Sequence, residues 1–460
     1  MLRIKKIKFE NHIIFGNQMY DFTANNKTYD TIILAGINGS KKTNLLESLK
    51  NITSNRLELE KFKSGGKIEI SYDVSDFNLV DSTGNIAINE LSRFITVVSN
   101  NTYNEKVCYN NDEKIRKAYF KSTKEEFKLK YGNECAYSSV NINYNPRRSV
   151  SGITSMQLDN NNNKIDNDIA FSTYQLLVDI SNQDSTDMNN FVRSNPGEIP
   201  PQDLLDQRMR RFTSAFNYIF SDSIKFNGIL ANTKPMFKKN GIDIDISSLS
   251  SGEKQIVFRG VELLKNVNLI KERPVFIDEP EISMHPIWED KILKYYKLMF
   301  TDLKVNKQQT QLFFATHSEH VLKEGLKDDD TLILKLNSDG TNIPFYKDGP
   351  GLHLPTITIG EIKYDIFDVY TTDFHIALYG FIQSNKVLSP NGNPINDPNV
   401  KQTDDWLYNI GAPQKNSRYH STNYRTLPTY IRNAIDHPGQ NALPDESLIK
   451  QSIDYMLTII

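Results

Sequence analysis

The stretch that decides the fold is Thr31–Thr43, which reads TIILAGINGSKKT. Its first five residues form a short apolar run, which is the pattern of a strand buried on both faces of a parallel sheet. A glycine-rich turn follows, and the helix-prone sequence NLLESL comes next at residues 44–49. A strand, a tight turn and a helix start present successive backbone N–H groups to an anion, aided by the helix dipole. The segment therefore predicts a phosphate-binding loop in an α/β fold.

The standard pattern for such a loop is G-x-x-x-x-G-K-[ST], and this chain departs from it at one position. Lys42 stands where a lysine reaches the β- and γ-phosphates, and Thr43 where a hydroxyl ligates Mg²⁺. Lys41 replaces the glycine before the lysine, so it crowds the turn and adds a second positive charge. Most donors are backbone N–H groups, so we expect nucleotide binding to survive and hydrolysis to be slow. Alone, the segment also fits a plain Gly/Asn turn. The predicted nucleotide-binding residues are Gly36, Asn38, Gly39, Ser40, Lys41, Lys42, Thr43 and Asn44.

Two further apolar strands end in polar residues: PVFIDEP at 274–280 and QLFFATHS at 311–318. Doubly wound sheets build nucleotide sites at such strand ends. Asp278 suits Mg²⁺, which prefers hard oxygen ligands. We expect Glu279 to point the other way along the strand and to act on the attacking water, and His317 to hydrogen-bond a γ-phosphate. Taken singly, an acidic loop after a strand and a lone histidine are more often structural features.

A fourth motif, LSSGEKQ at residues 249–255, precedes these strands and opens a helical run, IVFRGVELL. A hydroxyl, a glycine and a helix start together make an anion site that resembles a capping box. Alone, this segment would more often be a plain helix cap. The order of all four motifs makes coincidence improbable, so we interpret them as one nucleotide site. The residues of this fourth motif that we assign to the site are Ser250, Ser251, Gly252 and Glu253.

In this order the four motifs resemble the ATP-binding-cassette head shared by SMC, OLD-type and related ATPases, over about residues 1–50 and 205–350. The segments DEPEISMHP at 278–286 and ATHS at 315–318 especially resemble the single-polypeptide ATPases of bacterial anti-phage systems. The resemblance implies ATP and Mg²⁺ as cofactors. It also implies that Ser250–Gly252 cap, in trans, the γ-phosphate bound by a second copy, so that ATP joins a homodimer or a larger homo-oligomer.

We predict an α/β fold with an ABC-type P-loop ATPase head at residues 1–55 and 205–350. An inserted arm or lobe takes up 56–204, and a mainly helical C-terminal domain takes up 355–460. The helical end and the lack of a nuclease signature most resemble the PtuA-type ATPase subunits of Septu defence systems, followed by the ATPases of PARIS systems. That resemblance implies a regulatory scaffold whose ATP controls a separate effector nuclease of the HNH or Toprim type.

Two alternatives remain open. The first is an ATP-gated ribonuclease, because Arg432 and His437 resemble the R-x4-H motif of HEPN ribonucleases and are expected near one face of a helix. The plainer interpretation is that this pair caps a helix or binds a partner. The second alternative is a DNA-repair ATPase of the SMC type. It requires a long coiled coil between the phosphate loop and LSSGEKQ, and that stretch of about 200 residues lacks heptads.

The bulk composition bounds the partners and the location. The formal net charge is −2 over 460 residues, so no global basic field recruits nucleic acid. Local basic segments at 114–130 and at Arg147-Arg148 leave DNA open as a partner. The amino end alternates like a strand and lacks the apolar core of a signal peptide. No run of about 18 apolar residues is present, so we expect a cytoplasmic protein without a membrane span.

Overall fold

The structure is a computed structural model of the chain. It describes residues 1–122, 135–138, 169–201, 204, 208–221, 223–230, 234–264, 273–302, 306–349, 351–439, 442 and 444–460. The predicted basic contacts at Arg147 and Arg148 lie outside these residues, as does part of the 114–130 segment. The chain divides into two compact units, Met1–Tyr346 and Lys347–Ile460.

The first unit is mixed α/β. In chain order its described strands are β1 (Arg3–His12), β2 (Met19–Asp21), β3 (Thr23–Ala24), β4 (Lys27–Thr28), β5 (Thr31–Ala35), β6 (Phe62–Asp73), β7 (Leu79–Val80), β8 (Ala87–Ile88), β9 (Glu90–Ser99), β10 (Thr102–Tyr109), β11 (Tyr119–Phe120), β12 (Ala136–Ser138), β13 (Ile224–Leu230), β14 (Lys234–Lys239), β15 (Ile242–Asp245), β16 (Val275–Asp278), β17 (Thr301–Asp302), β18 (Lys307–Gln308), β19 (Leu312–Ala315), β20 (Thr331–Leu336) and β21 (Asn342–Tyr346). Its described helices are α1 (Lys42–Thr53), α2 (Ile169–Ser194), α3 (Arg208–Phe220), α4 (Ser251–Leu264), α5 (Pro286–Met299) and α6 (Glu319–Leu326).

The central sheet has six strands in the order β12-β16-β19-β5-β20-β21. All neighbours pair in parallel except β21, which is antiparallel to β20. Every residue of β5, β16 and β19 is buried, which explains why these strands are continuous apolar runs rather than alternating ones. The prediction that the three motif-bearing strands belong to one doubly wound sheet is confirmed.

A second, antiparallel sheet has the order β10-β9-β6-β1-β2. Its strands alternate, and Ile7 of β1 lies opposite Ile70 of β6. Both side chains belong to the buried core that also contains Leu45 and Leu49 of α1. Strands β6, β9 and β10 come from the region predicted as an inserted arm, yet they extend the sheet that β1 begins. The predicted domain boundaries stay a prediction.

The second unit is mainly helical, as predicted. Its described helices are α7 (Ile359–Phe367), α8 (Thr372–Asn385), α9 (Val400–Asn409), α10 (Leu427–Asp436) and α11 (Glu446–Leu457), and β22 (Gln414–Tyr419) forms a hairpin with β23 (Thr422–Thr426). Phe374, Leu378 and Ile382 on α8 pack with Ile453 and Met456 on α11 to form its core. Across the described part of the chain, no helix combines the length and the apolar character needed to cross a bilayer.

Candidate nucleotide-binding site

The phosphate loop occupies residues 36–41, between β5 and α1. Gly36 has φ of +143°, and a Cβ there would lie 2.4 Å from the Leu336 carbonyl oxygen and 2.9 Å from Ser40 Oγ. Only glycine fits this close approach. Lys42 Nζ donates hydrogen bonds to the carbonyl oxygens of Gly36 at 2.9 Å and of Ile37 at 3.1 Å. The carbonyl oxygens of the loop thus hold the lysine ammonium within the turn.

Lys41 occupies the position where the standard loop has glycine. Its φ is 70°, in the left-handed region, and it is the residue that precedes α1. A side chain in this conformation costs about 1–2 kcal/mol, so the turn has formed around the lysine at the expense of backbone strain. Of the remaining predicted loop residues, Asn38 and Gly39 are exposed, Ser40 is buried and Asn44 is half-buried.

The two predicted Mg²⁺ ligands lie together. Thr43, near the start of α1, donates from its Oγ1 to Asp278 Oδ1 at 3.2 Å, and Asp278 is the last residue of β16. Glu279 follows with φ of 42° and donates its backbone N–H to the Ala315 carbonyl at 2.8 Å. The expectation that Glu279 continues the strand alternation is wrong, because the left-handed conformation at this residue ends the strand and the period-2 rule no longer applies.

A buried arginine donates hydrogen bonds to the backbone at the end of β16. Arg259 on α4 is fully buried, and its Nη1 donates to the carbonyl oxygens of Asp278 at 2.8 Å and Glu279 at 3.1 Å. Sequence reasoning assigned Arg259 only to the helical run. Its signal was present, because Arg259 follows the apolar residues Ile256–Phe258, and an arginine that is buried with such neighbours needs a hydrogen-bonding partner.

His317 lies two residues after the end of β19, in the turn that leads to α6. Its Nε2 lies 3.8 Å from Glu279 Oε1. The turn that carries it is bonded to Glu281, whose Oε1 accepts from Thr316 Oγ1 at 2.7 Å and from the His317 backbone N–H at 2.8 Å. Ser318 then caps α6, because its side chain accepts from Val321 N–H. Glu281 was quoted as part of a motif, but its contact with His317 joins residues that are far apart in sequence.

Burial shifts the pKa values of three ionisable groups in the site toward their uncharged forms. Burial lowers the pKa of Lys42 to about 8, against the opposing effect of Glu279 and Asp278. Burial also raises the pKa of Asp278 to about 6, although the hydrogen bond from Thr43 favours its charged form. Burial and the charge of Lys42 lower the pKa of His317. An anion at Lys42 and a cation at Asp278 would restore the ordinary charge states of both groups.

These residues fit a nucleotide with Mg²⁺. The tight turn at Gly36 leaves no room for a side chain, and the Lys42 ammonium that the loop holds suits phosphate oxygens. In nucleotide sites Mg²⁺ is usually bound through one or two protein oxygens together with substrate phosphates. Thr43 and Asp278 offer such a pair of hard oxygens at one place.

The LSSGEKQ motif forms the start of α4. Ser250 N–H donates to Glu253 Oε2 at 2.8 Å, and Glu253 N–H donates to Ser250 Oγ at 3.4 Å, which are the two reciprocal bonds of a capping box. Ser250 and Ser251 are exposed, whereas Gly252 is buried. A Cβ at Gly252 would lie 2.6 Å from the Ser283 carbonyl oxygen in the loop after β16. The capping box and the close approach to Ser283 thus hold the start of α4 in place, and both serines remain accessible.

The R-x4-H pair lies at the end of α10. Arg432 Nη2 pairs with Asp436 at 2.8 Å, and its Nη1 donates to Asn433 Oδ1 at 3.0 Å. His437 is the C-cap residue, and its ring stacks on Tyr419 with 4.1 Å between centroids. The expectation that both residues share one helix face is wrong, because the helix ends at Asp436 and His437 lies beyond it.

The family model described as "AAA domain, putative AbiEii toxin, Type IV TA system" matches residues 32–323, which is more than half of the chain. None of the curated proteins matches the chain. Among solved structures, the chain is similar to the SMC head domain from Thermotoga maritima (15% identity, 74% of this chain, 98% of that chain, TM-score 0.37). It is also similar to the Smc head domain bound to the C-terminal domain of ScpA from Pyrococcus furiosus (11% identity, 75% of this chain, 97% of that chain, TM-score 0.43). A third similar structure is that of the recombination mediator protein RecF (13% identity, 73% of this chain, 96% of that chain, TM-score 0.35). With its phosphate loop on a parallel sheet and its match over residues 32–323, the chain belongs to this AAA-domain family of P-loop ATPases.

Proposed function

We propose that this chain binds ATP with Mg²⁺ at the strand-end site and hydrolyses it slowly. The observation that supports the proposal is the convergence of five side chains at the carboxyl ends of three adjacent parallel strands, β5, β16 and β19. They are Lys42, Thr43, Asp278, Glu279 and His317. The carboxyl ends of the strands in an open α/β sheet are where nucleotides bind.

Each residue takes a role that its position allows. Lys42 and the loop N–H groups bind the β- and γ-phosphate oxygens. Thr43 and Asp278 hold Mg²⁺, which supplies positive charge against the triphosphate. Glu279 orients the attacking water, and His317 hydrogen-bonds the γ-phosphate, 3.8 Å from the Glu279 carboxylate.

Slow turnover follows from the phosphate loop. Lys41 holds its left-handed conformation with a side chain where most such loops have glycine. Backbone N–H donors remain in place for binding, whereas in-line attack on the γ-phosphate depends on small changes of loop geometry. ATP therefore serves this protein mainly as a bound ligand with a long lifetime.

A second copy of the chain completes the site. Ser250 and Ser251 are exposed at the start of α4, where backbone N–H groups favour an anion. Together with Gly252 and Glu253 they cap the γ-phosphate held by the partner copy. The result is an ATP-dependent homodimer or a larger homo-oligomer.

Within the cell, the ATPase acts as a regulatory scaffold for a separate effector nuclease of the HNH or Toprim type, in defence against phage. This role is supported by the family's description, which names a putative toxin of a type IV toxin–antitoxin system. It is also supported by the sequence resemblance to Septu and PARIS ATPases. DNA is a further partner in this proposal. The head comprises residues 1–55 and 205–350, the arm 56–204, and the partner-binding domain 355–460.

Nucleotide binding is tested by titrating a fluorescent ATP analogue with Mg²⁺ against wild-type protein and Lys42→Ala. We expect Lys42→Ala to raise Kd by at least about 30-fold, which is about 2 kcal/mol. Lys8→Ala, which changes an exposed lysine of β1, is the matched control and should bind like wild type. Failure of wild-type protein to bind ATP would refute the proposal.

The regulatory role is tested with purified protein and the product of the neighbouring gene. We expect the protein alone to cut neither DNA nor RNA, and ATP to suppress cleavage by the assembled complex. Degradation of RNA by the purified protein, lost in Arg432→Ala while the assembly stays intact, would instead establish the ribonuclease alternative.

A further inference from the structure

The turn that carries His317 is bonded to a distant carboxylate. One oxygen of Glu281 accepts both the Thr316 hydroxyl at 2.7 Å and the His317 backbone N–H at 2.8 Å. Thr316 Oγ1 in turn accepts the Ser318 backbone N–H at 3.0 Å. All three residues of the turn are therefore connected, directly or through one hydroxyl, to a single oxygen of Glu281.

The second carboxylate oxygen of Glu281, Oε2, differs from the first in its hydrogen bonding. Glu281 Oε2 is shielded from solvent and, within the described residues, has no hydrogen-bond partner. Burial raises the pKa of Glu281, and the nearby charge of Glu279 adds to that effect. Buried polar atoms without partners are rare because each costs desolvation energy. Within the described part of the chain, the hydrogen bonds that this carboxyl group accepts come from the turn before α6.

The loop that carries Glu281 is itself fixed. Glu279 and Ser283 both have left-handed conformations, with φ of 42° and 62°. Such strained residues persist only where their surroundings determine the conformation. The Ser283 carbonyl lies so near α4 that a Cβ at Gly252 would approach it to 2.6 Å, and Met284 N–H donates to the Glu281 carbonyl at 3.0 Å. Glu281 is thus presented from a loop with little room to shift.

We propose that Glu281 is a positioning residue that holds His317 beside Glu279. It is bonded to the backbone N–H of His317 and to the neighbouring Thr316, and this determines where the imidazole lies relative to the Glu279 carboxylate and Lys42. The inference rests on the proposed function, since the position of His317 matters for hydrolysis only if ATP binds here. Glu281 acts through His317 and not on the nucleotide.

The kinetic test is a double-mutant cycle with Glu281→Ala and His317→Ala, measured as phosphate release at saturating and limiting ATP. We expect Glu281→Ala to lower kcat by about 10-fold or more, as loss of a residue that orients a functional group does, with little change in KM. In the His317→Ala background, the same substitution should have almost no further effect, because both changes remove one interaction. Glu324→Ala, which removes a half-buried carboxylate of α6 that is paired with Lys327, is the matched control and should behave like wild type.

A second readout needs neither ATP nor activity. The imidazole signals of labelled histidines report the surroundings of each ring, and the His317 signal is identified by its loss in His317→Ala. We expect this signal to shift in Glu281→Ala and to return close to its original position in Glu281→Gln, which keeps an oxygen acceptor. Thr316→Val removes one of the two bonds and serves if Glu281→Ala does not fold.

The outcomes separate the two proposals. Additive losses of kcat in the double mutant, or an unshifted His317 signal in Glu281→Ala and Thr316→Val, would overturn the role of Glu281. A wild-type protein that binds no ATP would refute the proposed function instead, and the histidine signal would still decide whether Glu281 positions His317.

Discussion

The substitution Gly36→Ala tests the phosphate loop most directly. The added Cβ would lie 2.4 Å from the Leu336 carbonyl oxygen and 2.9 Å from Ser40 Oγ, both closer than the 3.0 Å below which something must move. The carbonyl belongs to the last residue of β20, which pairs with both β5 and β21, so it cannot yield easily. The serine hydroxyl can rotate away. The loop must therefore move away from the strand end.

The cost has two parts. A side chain at φ of +143° is in a region used almost only by glycine, which costs about 1–3 kcal/mol. The overlap with the carbonyl adds about 1–3 kcal/mol, the usual range for overpacking in a close-packed interior. Gly39→Ala is the matched control, because Gly39 has φ of +83° but a Cβ there meets nothing within 4 Å. It should cost only about 1–2 kcal/mol, the backbone term alone.

The assay is urea denaturation followed by circular dichroism, with binding of a fluorescent ATP analogue measured on the same preparations. We expect Gly36→Ala to lower the denaturation midpoint more than Gly39→Ala, and to weaken ATP binding because the loop N–H groups no longer converge. If the two variants had equal midpoints, the close approach to Leu336 would not constrain the loop, and the geometric explanation of Gly36 would be refuted.

Three further predictions concern the residues around this loop. The pKa of Asp278 is raised to about 6 in the folded protein, so the fold favours the protonated carboxyl group. Protonation of Asp278 therefore stabilises the folded state fully below about pH 4, and this contribution is lost as the pH rises through about 6. Nucleotide-free Asp278→Asn should therefore be more stable than wild type at pH 7 by about 3 kcal/mol and lose that advantage at pH 4; equal urea midpoints at pH 7 would contradict this. Arg259→Met leaves the carbonyl oxygens of Asp278 and Glu279 without their buried donor and should cost about 2–4 kcal/mol in urea denaturation; an unchanged midpoint would count against this support. Ser251→Arg should abolish any ATP-dependent increase in mass measured by light scattering while ATP binding by the monomer is kept, and a persisting dimer would exclude the in-trans contact.

Some of the site could be predicted because its signal is contiguous in sequence. The apolar run, the glycine step at Gly36, Lys42 and Thr43 occupy thirteen consecutive residues, Thr31–Thr43, and a turn between a buried strand and a helix forms from local backbone preferences. The strands that end at Asp278 and Ala315 were predicted in the same way, from short apolar runs that end in polar residues. Each of these signals needs only the residues that carry it.

Other parts could not be predicted from such patterns. Strand β1 pairs with β6, and β6 pairs with β9, although β6 and β9 lie within the region predicted as an arm. Register between distant strands depends on which apolar faces meet. His437 was expected on a helix face, but the helix had already ended at Asp436. Glu279 was expected to follow strand alternation, but its left-handed conformation reflects the packing of its loop.

By itself, the sequence determined that a strand, a glycine turn and a helix make an anion site around Lys42, because the donors are backbone groups of consecutive residues. Only the tertiary structure decided which side chains support that site. Arg259 on α4 meets the carbonyl oxygens at the end of β16, and Glu281 meets the backbone of His317, 36 residues away. Such contacts arise when separate elements bury polar groups together and each group must find a partner in the same small space, a condition that no local pattern encodes.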